Sequence, residues 1–198
     1  MHMNTAQPIR STDDLNNFKK YYKEIHPNKR NMLLIIIGLN TALRISDILS
    51  LKWDSVYDFE RKQFKSHIIL VEQKTEKNSM IFMNKNIQEA LIEYKKYVRL
   101  QGKRVRKNQY IFRTNGKNAP ISRTQAFRII KEAAEYNHIP GIISCHSMRK
   151  TFGYHAWKQG VSPVLLMNIF NHSSYQITKR YLGIEQDDRD TIFEQIVL

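Results

Sequence analysis

The sequence predicts a mainly α fold with one small antiparallel β-sheet (α+β), on three observations. Apolar residues recur at helical spacing, with cap residues in front of them, from Ser11 to Leu51 and again from Ser122 onward. Between these regions lies one pair of β-branched and aromatic runs, HIILV and SMIFM, on either side of the polar EQKTEKN. The 198 residues contain no repeat or low-complexity segment, and their number suits one sizeable domain.

In chain order, STDDLNNFKKYYKEI predicts a first helix, capped by Ser11 or Thr12 with acids in its first turn. KRNMLLIIIGLNTAL is a second helix, so nearly all apolar that it must be buried. RISDILSLKW follows a short break and sets Ile45, Ile48, Leu49 and Leu51 on one face. HIILV and SMIFM form a hairpin that carries lysines at its tip. NIQEALIEYKKYVRLQG is an amphipathic helix with Asn86 as cap and Gly102 as stop. The basic loop KRVRKNQ then leads to a short apolar YIF. From Ser122 onward the chain is helical, broken at HIPG, QGVSP and NHSS by turn and cap chemistry. A closing helix, DDRDTIFEQIVL, has Ile192, Phe193, Ile196 and Val197 available to bury.

Lys and Arg outnumber Asp and Glu by 32 to 18, for a formal charge of +14 and a pI near 9.9. Such an excess points to a polyanionic partner, nucleic acid before a membrane surface, because the basic residues are spread along the chain rather than gathered in one tract. No run of eighteen apolar residues and no signal segment is present, which predicts a cytoplasmic protein with no membrane partner. The single cysteine, Cys145, cannot form an internal disulfide and reads as a small buried apolar residue. With no H-x-x-x-H or C-x-x-C pair there is no metal site at the usual spacing, and with no G-x-x-x-x-G-K-[ST] loop there is no sign of ATP use.

One feature of the second helix demands a partner: it runs into Arg44, an arginine entering from the core side, whose charge must be paired or must reach for an anion. Arg44, Lys74, His146 with Arg149, His172 and Tyr181 stand out together. The stretches that hold them, TALRISDILSLKW, EQKTEKNSMIFM, HSMRKTFGYHAWKQG and NIFNHSSYQITKRYLGI, resemble the catalytic domain of the tyrosine recombinase (integrase) family in order and spacing. The resemblance spans about Ser11 to Leu198, and its last histidine and tyrosine stand nine residues apart. It implies the tyrosine recombinase catalytic-domain fold. It further implies cleavage and rejoining of DNA through a 3′-phosphotyrosine, with a 5′-hydroxyl leaving group and neither metal nor small-molecule cofactor.

Residue chemistry supports those roles. A phosphodiester under attack gains negative charge that fixed cations must neutralise, and a guanidinium fork, always charged, suits Arg44 and Arg149 to that clamp. Asp47, at i+3 from Arg44, is placed to orient it on a helix. His146 and Arg149, also i,i+3, can converge on one phosphate, with His146 able to take the tyrosine proton or to donate to an oxygen. Tyr181 is one of ten tyrosines, and Tyr175 is its rival; the spacing to His172 favours Tyr181. A phenol with a pKa of about 10 needs a base or nearby positive charge to attack at neutral pH. His172 would bond the phosphate or pack on the nucleophile. Lys74 at the hairpin tip is the candidate acid for the departing 5′ oxygen, with Lys77 as competitor. Asn171 stands where the family commonly has glycine, a mild departure because Asn tolerates a left-handed turn.

Around this centre, Lys77, Arg104, Arg106 and Lys107, with Ser122, Arg123, Gln125 and Arg128 at a helix start, are candidate DNA contacts that position the protein on phosphates. The expected layout is a tail over residues 1–10, whose opening MHM carries no weight, and a catalytic domain over 11–198, with the family's separate helical DNA-clamping domain absent. The expected assembly is a tetramer of two dimers on double-stranded DNA. The setting would be a mobile genetic element, nucleoid-associated, bacterial or phage. Two other readings stand beside it: a non-catalytic basic helical DNA-binding regulator, and strand relaxation of the type IB topoisomerase kind.

Overall fold

The computed structural model describes residues 5–114 and 116–184, and positions 190, 193, 194 and 196. The described residues include eight α-helices and two separate two-stranded antiparallel sheets.

Helix α1 (Thr12–Lys20) starts where Ser11 Oγ accepts the Asp14 N–H at 3.2 Å, with Asp13 and Asp14 against the positive end of its dipole. It runs directly into a π-helical turn (Tyr21–Ile25) that buries Tyr21 and Tyr22, both of whose hydroxyls donate to Glu132 at 2.9 Å. Asn28 caps α2 (Lys29–Asn40), which is buried over most of its length and packs on α4 and α6. After α2 the chain turns through Thr41 and Ala42, the latter left-handed at φ 55°, so that Arg44 becomes the N-cap residue of α3 (Ile45–Ser50). The second helix therefore stops at Asn40, short of the expected Leu43, and the break takes in Thr41, Ala42 and Leu43.

The expected hairpin is β3 (His67–Val71) with β4 (Asn78–Phe82), in a register that opposes Ile69 and Met80. A second, smaller pair, β1 (Tyr57–Asp58) with β2 (Gln63–Phe64), corrects the expectation of a single sheet. Asp58 Oδ1 closes its turn by accepting the N–H groups of Glu60 and Arg61, both at 2.9 Å. Helix α4 (Lys85–Leu100) is capped by Asn84, whose Oδ1 accepts the Ile87 N–H, and not by Asn86. Gly102 follows its end at φ 69°, the conformation a stop requires. Helices α5 (Arg123–Tyr136), α6 (Cys145–Lys158), α7 (Pro163–Phe170) and α8 (Tyr175–Leu182) follow, separated at the three expected breaks.

The apolar interior has two parts. The larger gathers α1 to α6 around Leu33, Leu34, Ile37, Trp53, Leu91 and Phe112. The smaller joins Tyr154, Leu166, Phe170, Leu182 and Ile184 with Ala42, and holds α7 and α8 onto α6. Gly153 lets these helices close: a Cβ there would stand 2.5 Å from Leu182 Cδ2 and 2.6 Å from Phe170 Cζ.

Residues 7–10, expected as tail, are a strap across α6. Ile9 is buried, its N–H donates to Thr151 Oγ1 at 2.8 Å, and its carbonyl bonds His155 Nε2 at 2.9 Å. Arg10 then donates to the carbonyl of Gly183, which ends α8. Of the apolar residues expected to bury at the C-terminal end, Phe193 and Ile196 are exposed, while Ile192 and Val197 lie outside the described residues. Cys145 is half-buried, and burial pushes its thiol up to about 11. Among the described residues no helix is long and apolar enough to cross a membrane.

Candidate active site

The seam between the two interiors is where the singled-out residues meet. Helix α6 brings Arg149 into it because Ser144 and Ser147 fix the helix start; Ser147 Oγ accepts the Ser144 N–H at 2.9 Å. Arg149 is buried, its charge answered by two backbone carbonyls: Nη1 donates to Ala42, and Nη2 to Phe170 at 2.8 Å. The guanidinium also lies 4.7 Å from the centroid of the Phe170 ring. One side chain thus ties the turn after α2 to the end of α7.

Tyr181, one residue from the end of α8, enters the same seam. Its ring sits against Phe170 and edge-on to His172, with centroids 5.5 and 5.0 Å away, and the ammonium of Lys150 lies 4.9 Å from its centroid. Its hydroxyl is buried without a partner in hydrogen-bond geometry. Burial raises the phenol above its ordinary pKa, while the charge of Arg149, the approach of its guanidinium to the hydroxyl short of hydrogen-bond geometry, and the charge of Arg44 pull the other way. His172 follows Asn171, which adopts the left-handed conformation at φ 51°. Its Nδ1 bonds Thr178 Oγ1 at 3.0 Å, fixing the ring toward α8. Tyr175 stands at the start of α8 on its outer side, with Lys179 near its ring, and takes no part.

His146 lies one helical turn before Arg149, exposed at the start of α6. Partial desolvation and the charges of Arg149, Lys150, Arg44 and Arg123 hold its imidazole below the ordinary range. Desolvation, then Arg149 and Arg44, does the same to His172. Both rings are therefore neutral at pH 7 and able to accept a proton. Burial alone lowers the Lys150 ammonium.

Arg44 does not pair with Asp47. As an N-cap residue in extended conformation it points away from the helix, and its Nη1 donates to Glu72 Oε2 at 2.9 Å. Asp47 is fully buried; its Oδ1 accepts the Gln73 N–H at 2.9 Å and anchors the hairpin turn, while Oδ2 has no partner. Lys74, on that turn, is exposed. Lys77, also exposed, reaches across to Asn171 Oδ1 at 3.5 Å. A cavity of about 350 Å³ opens between hairpin and α7, lined by Ala42, Glu72, Lys77, Ser79, Asn168 and Arg149 among others.

The candidate DNA contacts lie outside this centre. Ser122 Oγ is engaged as the cap of α5, bonding the Gln125 N–H at 3.1 Å, and Arg123, Gln125 and Arg128 are exposed on the first turns. Arg104, Arg106 and Lys107 project from the loop after α4. Arg104 and Arg106, with Arg30, Lys103 and Arg113, line a row of adjoining hollows that leads from the start of α5 to a larger groove, of about 1050 Å³, over the aromatic residues of β1 and β2. That groove holds none of the residues of the seam. Sequence reasoning missed Glu72, Lys150 and the strap; only the position of Glu72, closing a strand before the lysine turn, carried a signal. Among the described residues no cluster of His, Cys, Asp and Glu could hold a metal.

The profile described as "Phage integrase family" matches residues 11–187. "Probable integrase/recombinase YoeC" of Bacillus subtilis (strain 168) is 39% identical over 185 residues, which is 93% of each chain. "Tyrosine recombinase XerD" of Corynebacterium glutamicum is 24% identical over 158 residues, 80% of this chain and 49% of its own. Against relatives of that kind the chain spans about half their length; against YoeC it spans nearly all. The crystal structure of XerA recombinase superposes with a TM-score of 0.73 at 18% identity, covering 97% of this chain and 64% of that one. XerH recombinase bound to palindromic difH substrate in a post-cleavage complex gives 0.73 at 18% identity, covering 97% and 55%. These structures establish the shared fold.

Proposed function

The chain belongs to the phage integrase family, and from that membership we propose that it is a site-specific DNA recombinase acting through Tyr181. The observation that carries this reading is the phenol hydroxyl of Tyr181, buried without a partner in a seam whose positive charge comes from Arg149 and Arg44. An unpartnered buried hydroxyl is costly, and costs of that kind gather where a reacting group will supply the missing bond.

In the reaction, Tyr181 oxygen bonds the scissile phosphorus and the bond to the 5′ oxygen breaks. The phenol proton passes to neutral His146, and a lysine of the hairpin turn protonates the leaving 5′ oxygen. Arg44, Arg149 and His172 hold the non-bridging oxygens as charge develops on them. Rejoining is the same path reversed, with a 5′-hydroxyl of the partner strand as nucleophile, so no metal or nucleotide cofactor enters the balance. Lys74 keeps the acid role on its place in the motif. Helix α5 and the basic loop after α4 lie along the duplex, and the protein works as a tetramer of two dimers on DNA. It acts in the cytoplasm of a bacterium, or of a phage-infected one, on a mobile element, with residues 11–198 as the catalytic unit.

A DNA site nicked so that the leaving strand diffuses away traps the intermediate. The unmodified protein should give a covalent protein–DNA band on a denaturing gel, and Tyr181→Phe none. An adduct from the Phe variant would remove Tyr181 from the role; no adduct on any site would leave a DNA-binding regulator. Lys74→Ala should recover part of its cleavage on DNA with a 5′-thiolate leaving group, which needs no proton; failure to recover would move the acid to Lys77 or to water.

A further inference from the structure

Two buried carboxylates, Asp47 and Glu72, stand among the cations of this site, and among the described residues Glu72, 7% exposed at the end of β3, is the one that pairs with Arg44. Both of its oxygens are occupied. Oε2 accepts from Arg44 Nη1 at 2.9 Å and from Thr75 Oγ1 at 3.1 Å; Oε1 accepts from Ser79 Oγ at 2.7 Å and from Asn171 Nδ2 at 3.5 Å. Its backbone closes the lysine turn as well: its N–H donates to the Lys77 carbonyl, and its carbonyl accepts the Glu76 N–H, each at 2.9 Å. Burial alone would raise this carboxyl; the hydroxyls of Ser79 and Thr75 and the charge of Arg44 more than offset it, so the group is ionised.

A buried carboxylate so fully partnered is fixed in position, and it touches three segments that chemistry must bring together. These are Arg44 at the start of α3, the turn that carries Lys74 and Lys77, and the turn that holds Asn171 and His172. Arg44, for its part, uses one end of its fork. Nε and Nη2 donate to no protein group among the described residues, which leaves the outer edge of the guanidinium for an anion. Asp47 does not supply this orientation: its Oδ1 accepts the Gln73 N–H, and Arg44 donates to Glu72 instead.

We propose that Glu72 is a positioning residue for strand cleavage, holding Arg44 by Nη1 so that its free edge meets the scissile phosphate and locking that guanidinium to the lysine and histidine turns. The inference rests on the reading of Arg44 as a phosphate ligand. Glu72→Gln keeps the size and can keep an acceptor toward Ser79, but loses the charge that orients Arg44.

The test measures single-turnover cleavage on two otherwise identical substrates, one with the natural phosphodiester and one with a methylphosphonate at the scissile position. The neutral methylphosphonate carries one anionic oxygen fewer and needs less from Arg44. On the phosphodiester, E72Q should be slowed by about tenfold with DNA affinity unchanged within about twofold; on the methylphosphonate its deficit should shrink to about twofold or less. A merely structural loss would slow both substrates equally, and that result overturns the proposal. So does an E72Q that cleaves at or above the unmodified rate, because Glu72 would then compete with phosphate. Should Glu72→Ala fail to fold, E72Q decides alone. No adduct from the unmodified protein on either substrate overturns the recombinase reading and this inference with it; an adduct together with an unaltered E72Q rate overturns this inference only.

Discussion

Arg149 has two tasks that its variants should separate. Its guanidinium closes the seam by bonding the carbonyls of Ala42 and Phe170, and its charge opposes the effect of burial on the Tyr181 phenol more than that of Arg44 does. Arg149→Ala should cut single-turnover cleavage by about 10²- to 10³-fold through lost charge stabilisation. It should also destabilise the fold by about 1–3 kcal/mol, because two buried carbonyls lose their donor. Arg149→Lys returns the charge without the fork and should recover part of the stability and little of the rate. Equal rates in all three proteins would remove Arg149 from the chemistry. The histidines add a pH dependence. Both His146 and His172 have lowered folded values, so the folded state resists protonating them while the unfolded chain does not. Their contribution to stability is thus complete above the unfolded value of about 6.5 and is lost as pH falls through the lowered folded values. A melting temperature that drops on acidification over that range, and drops less in His172→Gln, is the expected outcome; an unchanged slope would contradict it. At this scale the residue types were legible and their pairings were not. The spacing from Arg44 to Asp47 suggested a helical pair, but Arg44 precedes its helix, and its true partner lies 28 positions downstream across a hairpin.

Elements were most legible where local chemistry defines them. Ser11, Asn28, Ser122, Ser162 and Ser174 each cap a helix with their own side chains, and Gly102 ends one at positive φ. The choice between Asn84 and Asn86 depended on where the helix axis begins, which tertiary packing of Ile87 and Leu91 decides. Strands β1 and β2 escaped notice because two residues each are too short for an alternating pattern. The approach of α6 to α7 and α8 was also hidden, since a glycine inside a helix signals only a weak position until its neighbours are known. Gly153→Ala would force its methyl into Leu182 and Phe170 and should destabilise the protein by about 1–3 kcal/mol through overpacking. Because those residues seat α8, adduct formation should fall further than DNA affinity; parallel losses would mean that α8 is not displaced.

At the scale of the whole molecule, charge is the property that composition announced and the fold organised. The excess of 32 basic over 18 acidic residues was plain in the sequence, but not that Arg30, Lys103, Arg104, Arg106 and Arg113 would line adjoining hollows leading away from the start of α5. DNA held along that row releases counterions, so affinity should fall linearly with the logarithm of salt. Replacing Lys103, Arg104 and Arg106 by Gln should weaken binding on all sequences alike and make the slope less steep by about 0.9 for each phosphate no longer neutralised. A slope that does not change would place the duplex elsewhere.

The strap has a temporal consequence. Ile9 and Arg10 leave the ribosome long before their partners Thr151, His155 and Gly183, which follow 142, 146 and 173 positions later. A segment made early thus waits for segments made late before it can dock, and α8, which carries Tyr181, is pinned only then. A nascent chain therefore cannot complete the strap until Gly183 has emerged.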